Sequence, residues 1–179
     1  MWIEVLLLAK LAKGPSHGYE LRKAVESSTG RALSNNSLYP TLRRFVDAGA
    51  VLRSAEDQEG KPPRHVYTIT DVGRELLRDT LADLPADVAD NDSEFLARLA
   101  NFAWLEPTEQ LRVLDARDLA LKRERTRLAG LALAQAETWS RMVLDEVCRR
   151  LDAERAWLSG IRTEIEATPE EAVTTEEVS

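Results

Sequence analysis

One stretch decides the fold of this chain: Ser34-Asn35-Asn36-Ser37-Leu38-Tyr39-Pro40-Thr41-Leu42-Arg43-Arg44-Phe45-Val46-Asp47-Ala48-Gly49. Its apolar side chains recur at helical spacing and form one stripe, made of Leu38, Leu42, Phe45 and Val46. Ser and Asn side chains can cap the start of the helix, and Gly49 can end it in the left-handed conformation. Because Pro40 is tolerated only near the first turn, the helix is predicted to begin between Asn35 and Ser37.

The polar residues of this helix fall mainly outside the apolar stripe. Small hydrogen-bonding side chains that lead into an arginine pair suit a helix laid in the major groove of DNA. The candidates for base edges or backbone positioning are Asn35, Asn36, Ser37 and Thr41, and those for phosphate or guanine are Arg43 and Arg44. Tyr39 either packs inside or points its hydroxyl at a phosphate. An ordinary amphipathic helix with a solvated face is the alternative for this stretch alone.

Two further helices are predicted upstream. Trp2 to Ala12 is rich in Leu and Ala and should be a largely buried helix that Gly14-Pro15 ends. Ser16 is predicted to cap a second helix, which runs to about Ser28. Its expected inward side consists of Tyr19, Leu21, Ala24 and Val25.

Downstream of the deciding stretch, the pattern changes to that of a β-hairpin. Residues 50–55 and 64–69 read as two strands, and the polar segment 56–63 with its Gly and two Pro residues reads as their turn. Thr70 is predicted to cap a fourth helix to about Asp83, whose inward side is Val72, Leu76, Leu77 and Leu81. Three helices followed by a two-stranded hairpin form the winged helix-turn-helix arrangement.

The hairpin, or wing, carries three candidate DNA contacts. Lys61, Arg64 and His65 lie at or beside its tip, where they can reach the phosphate backbone or the minor groove. The alternative is a solvated turn with ordinary surface charges.

Residues 3–77 resemble the PadR family of bacterial transcriptional regulators. The matching segments are residues 14–21, 36–44 and 61–73, in that order. The family more often has Gly where this chain has Asn36, and Gly-Arg-Pro where it has Gly60-Lys61-Pro62-Pro63. The resemblance implies a homodimeric repressor whose third helix reads the major groove. It also implies a helical C-terminal region that dimerises and often responds to a small effector, and the chain length resembles the longer subfamily.

Four segments are predicted along the chain: a winged helix-turn-helix domain (1–83), a linker (84–92), a helical dimerisation and effector domain (93–166) and an acidic disordered tail (167–179). Ser93 is expected to cap a short helix with an apolar side made of Phe95, Leu96, Leu99, Phe102 and Ala103. Two long helices should follow, from Pro107 to about Gln135 and from about Glu137 to Glu166.

The last helix carries a heptad-like seam that is interrupted only by Glu154. Its members are Leu144, Val147, Leu151, Leu158, Ile161 and Ile165. The seam is buried either within one chain or against a second copy. Because two helices alone cannot hide this much apolar surface, a homodimer is the preferred interpretation.

The charge of the chain is unevenly distributed. The formal net charge is −7, but residues 1–83 carry 12 Lys and Arg against 11 Asp and Glu, whereas residues 84–179 carry 12 against 20. DNA binding needs a local basic patch, so an acidic chain does not exclude it. The single Cys148 fits a reducing cytoplasm, and neither a membrane span nor a signal peptide is expected.

Enzymatic sites and metal sites are not predicted. His17 and His65 are not at zinc-ligand spacing, and His17 is expected to cap or support a helix. The sequence has neither a phosphate loop nor a nucleophile elbow, so no cofactor is expected. Trp104, Trp139 and Trp157 are candidates for a pocket that holds a small apolar or aromatic effector, with core packing as the more frequent role.

The sequence therefore predicts a mainly α protein with an N-terminal winged helix-turn-helix, a two-stranded β-wing and a C-terminal helical dimerisation domain. The expected function is a cytoplasmic, homodimeric transcriptional regulator that binds a pseudo-palindromic operator in double-stranded DNA, a repressor relieved by a small molecule. One alternative is a helical interaction module whose winged helix binds a protein. The other is a small-molecule-binding protein without a DNA function.

Overall fold

The computed structural model describes residues 2–30, 32–58 and 61–167, and the side chains of 57–58 and 61–63 are not described. The chain divides into two compact units, Met1–Glu106 and Pro107–Ser179. The segment predicted as an acidic tail lies outside the described residues, except for Ala167 at the end of the last helix.

The first unit is built around helix α1 (Trp2–Ala12), which is apolar on most of its circumference. Six of its residues are buried, and it packs against helices α2 (Gly18–Thr29), α4 (Asp71–Ala82) and α5 (Asp92–Leu99). A helix that is hydrophobic all round is stable only when it is enclosed, which explains its central place. The predicted burial of this helix is confirmed.

The start of α2 differs from the prediction. Ser16 and His17 form a short strand, β1, and His17, not Ser16, occupies the N-cap position. The main-chain N–H of His17 donates to Oε2 of Glu20 at 2.8 Å, which is one half of a capping box. Tyr19 was expected to point inward but is exposed, whereas Leu21 and Val25 are buried as predicted.

Helix α3 (Asn35–Asp47) follows, and the hairpin strands are β2 (Val51–Gln58) and β3 (Lys61–Ile69). The strands are longer than predicted, and β1 adds to them to give a three-stranded antiparallel sheet of order β1-β3-β2. His17 is opposite Val66 on one side of β3, and Glu56 is opposite Arg64 on the other.

Helix α4 is fixed to the root of the sheet by Thr70. Its hydroxyl donates to the carbonyl of Gly49 at 2.7 Å and accepts from the N–H of Gly73 at 3.2 Å. Leu77 and Leu81 of α4 are buried as expected. Val72 and Leu76, which were predicted to face inward as well, are exposed.

Helix α5 and the 3-10 turn Phe102–Trp104 belong to the first unit, whereas the sequence placed residues 93–106 with the C-terminal domain. Helix α5 packs on α1, with Phe95 fully buried. Arg98 is also fully buried, and its Nε donates to the carbonyls of Thr80 and Asp83 at the end of α4. These bonds satisfy carbonyls that a helix end leaves without partners.

The second unit consists of helices α6 (Pro107–Ala134) and α7 (Thr138–Ala167), which pack against each other. Both helices begin and end within about one residue of the predicted positions. Arg117 of α6 is buried and donates from Nη2 to Oε1 of Glu154 at 2.6 Å. This ion pair explains the acidic residue that interrupts the predicted seam.

Candidate nucleic-acid interface

The outer face of α3 carries most of the predicted DNA-contacting residues. Ser34 caps the helix, and its Oγ accepts from the N–H of Ser37 at 3.2 Å. The helix buries its apolar stripe, so the side chains left exposed are Asn35, Asn36, Tyr39, Pro40, Arg43, Arg44 and, at the last position, Asp47. Pro40 has no N–H, and therefore the carbonyl of Asn36 lacks its usual helical donor on this exposed face.

Two of the predicted polar contacts are engaged inside the helix. Thr41 is only 7% exposed, and its hydroxyl donates to the carbonyl of Ser37 at 2.8 Å. The Oγ of Ser37 lies 3.0 Å from that of Ser34. The proposal that Thr41 reaches a base edge is therefore not supported by this arrangement, and Ser37 is half-buried.

The two arginines of α3 are in different environments. Arg43 is exposed and has no ion pair among the residues that the structure describes. Arg44 is directed toward α1, where its Nη2 donates to Oε1 of Glu4. The sequence did not distinguish them, since both are equally basic and adjacent.

Asn35, at the start of α3, lies close to Arg22 of α2. Nη1 of Arg22 lies 3.5 Å from Oδ1 of Asn35, at the long limit of a hydrogen bond. The guanidinium of Arg22 also lies over the ring of Tyr19, 5.6 Å from its centroid. Arg22 therefore lies between the Tyr19 ring and the exposed start of α3.

Tyr39 is neither fully packed inside nor fully directed to solvent. It is 48% exposed, and its ring covers the backbone of Gly18, since a Cβ at that position would lie 3.2 Å from Cε1 of Tyr39. The ring packs on α2, and the hydroxyl lies at the surface of the first unit.

The wing brings Arg64 and His65 to the same surface. Both are exposed, and Arg64 has no partner among the described residues. The backbone of Lys61 belongs to β3, but its side chain lies outside the described part of the structure. Behind the wing, burial raises the pKa of the Tyr67 hydroxyl, and the nearby Arg53 offsets part of that effect.

A groove of about 970 Å³ runs between α2, the start of α3 and strand β3. We call it the α3–wing groove; it is lined by Lys10, Pro15, Ser16, His17, Gly18, Tyr19, Glu20, Lys23, Ala24, Ser27, Tyr39, Arg64, His65 and Tyr67. Three cations and one carboxylate line it, and that carboxylate, Glu20, is engaged by the N–H of His17. The groove therefore favours an anionic occupant.

Sequence reasoning missed the contribution of α2 to this groove. Tyr19, Lys23 and Ser27 line it and recur at intervals of four residues, which is the signature of one helix face. This spacing was visible in the sequence, but Tyr19 was assigned to the core.

The predicted seam on α7 divides between two faces. Leu158 is 3% exposed and packs within the helix pair of one chain, and Leu144 and Leu151 are half-buried beside it. Val147 is exposed, and Ile161 and Ile165 are half-buried. A second apolar stripe on α7 consists of exposed Trp139, Val143, Val147 and Trp157, together with Ile161.

Trp139 and Trp157, the two tryptophans of the second unit, are far apart on α7. Trp139 is 78% exposed, and it lies 18 residues before Trp157 on α7, which corresponds to about 27 Å along a helix. Trp104 belongs to the other unit. None of the three is buried, so core packing does not describe them either.

None of the helices in the described residues is long and apolar enough to cross a membrane. Within the described ranges, no group of His, Cys, Asp and Glu side chains is arranged to hold a metal ion.

The first unit contains a winged helix-turn-helix domain. It has three helices, the third of which exposes its arginines, and an antiparallel wing. Residues 7–79 match the model of the transcriptional regulator PadR-like family, so the winged helix-turn-helix domain of this chain is similar to that family. The recognition made from the three sequence segments is confirmed. The family is one of transcriptional regulators, not of enzymes, as expected.

Two curated proteins are similar to parts of the chain. An uncharacterized 37.1 kDa protein in transposon TN4556 of Streptomyces fradiae is 38% identical over 74 residues, which are 41% of this chain and 20% of that protein. The negative transcriptional regulator PadR of Bacillus subtilis (strain 168) is 28% identical over 81 residues, 44% of each chain. The chain thus matches less than half the length of either relative.

Several solved structures match most of the length of this chain at low identity, and one of them contains DNA. The crystal structure of Bacillus subtilis PadR in complex with operator DNA matches with a TM-score of 0.42 and 23% identity, over 90% of this chain and 98% of that one.

Proposed function

We propose that this protein is a homodimeric, sequence-specific DNA-binding regulator that represses transcription until a small molecule relieves it. The observation that carries the proposal is the surface shared by α3 and the wing. There Arg43 and Arg64 are exposed without ion-pair partners among the described residues, and Asn36 and Tyr39 are exposed on the same helix as Arg43. Amide and guanidinium groups are the side chains that read base edges and bind phosphates.

The α3–wing groove supports the same function. Lys10, Lys23 and Arg64 line it, so the positive charge of an acidic protein is concentrated where a phosphate backbone would pass. In the proposed complex, Asn36 and Arg43 contact the major groove, and Arg64 and Lys61 contact the flanking backbone from the wing. Tyr39 offers its hydroxyl to a phosphate, and Arg44 contributes only when it leaves Glu4.

The apolar stripe on α7 supports a dimer. Val143, Val147, Trp157 and Ile161 lie on one face of the helix, with Arg150 and Glu154 between the two pairs, and exposed apolar side chains grouped in this way favour an interface between proteins. A two-fold dimer predicts a pseudo-palindromic operator whose half-sites are about 10 base pairs apart, or a multiple of that.

Repression and its relief are further parts of the proposal. The Bacillus subtilis relative is named a negative regulator, which favours repression for this chain. A small apolar or aromatic effector would bind the helical part beside an exposed tryptophan and alter the separation of the two winged helices. A protein that acts on bacterial chromosomal DNA works in the cytoplasm, which is the proposed location.

Fluorescence anisotropy tests the proposal directly. The purified protein is titrated into labelled DNA from upstream of its own gene and into a scrambled duplex, each at two salt concentrations. Tight binding to the upstream DNA alone is expected, and a panel of aromatic acids and other flat apolar molecules is then screened for release. Weak and equal binding to both duplexes, followed by a genome-wide fragment selection that recovers no site, would favour a protein partner instead.

A further inference from the structure

Glu56 of the wing does not form the ion pair that its position in the sheet predicts. Glu56 on β2 is directly opposite Arg64 on β3, and opposed residues of an antiparallel pair place their side chains on the same face. Opposite charges in such positions normally pair. Here Arg64 is exposed and has no ion pair among the described residues.

The carboxylate of Glu56 is directed to His17 instead. Oε2 of Glu56 lies 3.4 Å from Nε2 of His17, across the central strand of the sheet. His17 is opposite Val66 on the other edge of β3, so its ring lies on the same face as Glu56 and Arg64.

The ring of His17 is itself held in place by the fold. Its Nδ1 lies 3.3 Å from the carbonyl oxygen of His65, and its main-chain N–H donates to Glu20. Both ring nitrogens of His17 therefore face acceptor oxygens. His17 and Arg64 are alternative partners for the same Glu56 carboxylate.

We propose that His17 holds the Glu56 carboxylate away from Arg64 and so keeps the Arg64 guanidinium available to a DNA phosphate. This inference rests on the proposed function, since it explains why the wing retains an uncompensated positive charge. His17 is then a positioning residue, which sets the strength of the wing contact through Glu56 and Arg64. Without His17, Glu56 is expected to turn to its cross-strand neighbour and neutralise it.

The test is a set of variants whose DNA affinity is measured over a range of salt concentrations. In the wild-type background, His17→Ala is expected to weaken binding about three-fold, in the range of an exposed ion pair, and to reduce the salt slope by up to about one charge. The same substitution is expected to have no further effect beside Glu56→Gln or beside Arg64→Ala. A similar loss in all three backgrounds would mean a general structural role and would overturn the inference, as would no loss in the wild-type background.

A second measurement reads the contact without DNA. The Nε–H resonance of Arg64, assigned by its loss in Arg64→Ala, is expected to shift in His17→Ala and to return in the His17→Ala/Glu56→Gln variant. A resonance that stays in place in His17→Ala overturns the inference. If the wild-type protein bound no duplex even at low salt, the proposed function would fail while this measurement still decided the role of His17.

Discussion

Arg44, the second arginine of α3, donates from Nη2 to Oε1 of Glu4 on α1 at 2.5 Å. The same Nη2 lies 3.5 Å from Oγ1 of Thr41, so the guanidinium is directed back toward the body of the domain. Arg43, one residue earlier, has no such partner among the described residues and extends from the exposed face. Adjacent arginines of one helix are therefore expected to differ in their contribution to DNA binding.

Replacing Arg43 with Ala should weaken operator binding far more than replacing Arg44. A guanine contact by Arg43 would cost about 1–3 kcal/mol of discrimination at one base pair, and a phosphate contact would instead lower the salt slope by about one. Anisotropy titrations of both variants against operators with single base changes distinguish these roles. Equal losses for Arg43→Ala and Arg44→Ala would contradict the assignment.

Removing the charge of Glu4 should increase DNA affinity, because Glu4→Gln releases Arg44 toward the phosphate backbone. A few-fold gain and a steeper salt slope are expected, whereas the free energy of unfolding should fall by less than about 1 kcal/mol because the pair is solvent-accessible. Glu75→Gln removes the same charge from an exposed position on α4 and is the matched control. A gain that persists in Glu4→Gln/Arg44→Ala would show that Arg44 is not responsible.

The wing contact has its own signature in the salt dependence of binding. Arg64→Ala should weaken binding to all duplexes by a similar factor and reduce the salt slope by about one, since a phosphate contact carries no sequence information. The slope of log affinity against log salt concentration is measured with the operator and with a scrambled duplex. An unchanged slope would remove Arg64 from the list of contacts.

Gly73 is required by close packing at the start of α4. A Cβ there would lie 2.1 Å from the carbonyl oxygen of Ala50 and 2.7 Å from Cγ1 of Ile69, so backbone would have to move. Gly73→Ala is therefore expected to lower the free energy of unfolding by about 3 kcal/mol, at the upper end of overpacking effects. Gly130→Ala in α6, where a Cβ meets no atom within 4 Å, should instead stabilise by about 1 kcal/mol. Urea denaturation of both variants makes the comparison, and similar effects would contradict it.

The helices and caps that were predicted correctly are those encoded by a local sequence pattern. The two long helices begin and end where periodicity and Pro107 indicate, and α3 is capped by Ser34 at the start of the deciding stretch. Helices of this length repeat their signal over many turns, so single residues do not change the result. The buried stripe of α3 follows in the same way.

What the sequence did not predict depends on partners far along the chain. Ser16 forms a strand because β3, about 50 residues later, is available to pair with it. Glu154 is explained only by Arg117, 37 residues earlier, and Arg44 only by Glu4, 40 residues earlier. No local period encodes such pairs, and the packing of α5 on α1 is of the same kind.

The first unit should become less stable in acid because of Glu94. Burial acts to raise the pKa of this carboxyl, but hydrogen bonds from Arg98 and from the N–H of Trp2 outweigh it, and the pKa is lowered. A lowered folded-state pKa gives stability that is present above the ordinary value of 4.5 and is lost as pH falls through the folded-state value. Glu94→Gln should cost about 2–4 kcal/mol at neutral pH because Arg98 stays buried, and the difference from wild type should shrink below pH 4.5. Denaturation at a series of pH values measures this, and a constant difference would contradict it.

The two faces of α7 should respond differently to an added charge. Val143 and Val147 are exposed in the single chain, so the Val143→Glu/Val147→Glu variant should keep its helix content and lose the dimer, because association would bury unpaired carboxylates. Leu158 is buried against α6, so Leu158→Glu should lower the melting temperature and helix content of the unit itself.

Light scattering after size exclusion gives the mass at micromolar concentration, and circular dichroism gives the helix content. Ala156→Glu/Thr163→Glu adds the same charge to exposed positions on the opposite face of α7 and should remain dimeric. If the Val143→Glu/Val147→Glu variant remains dimeric, the dimer interface lies elsewhere, because it then does not depend on this apolar stripe.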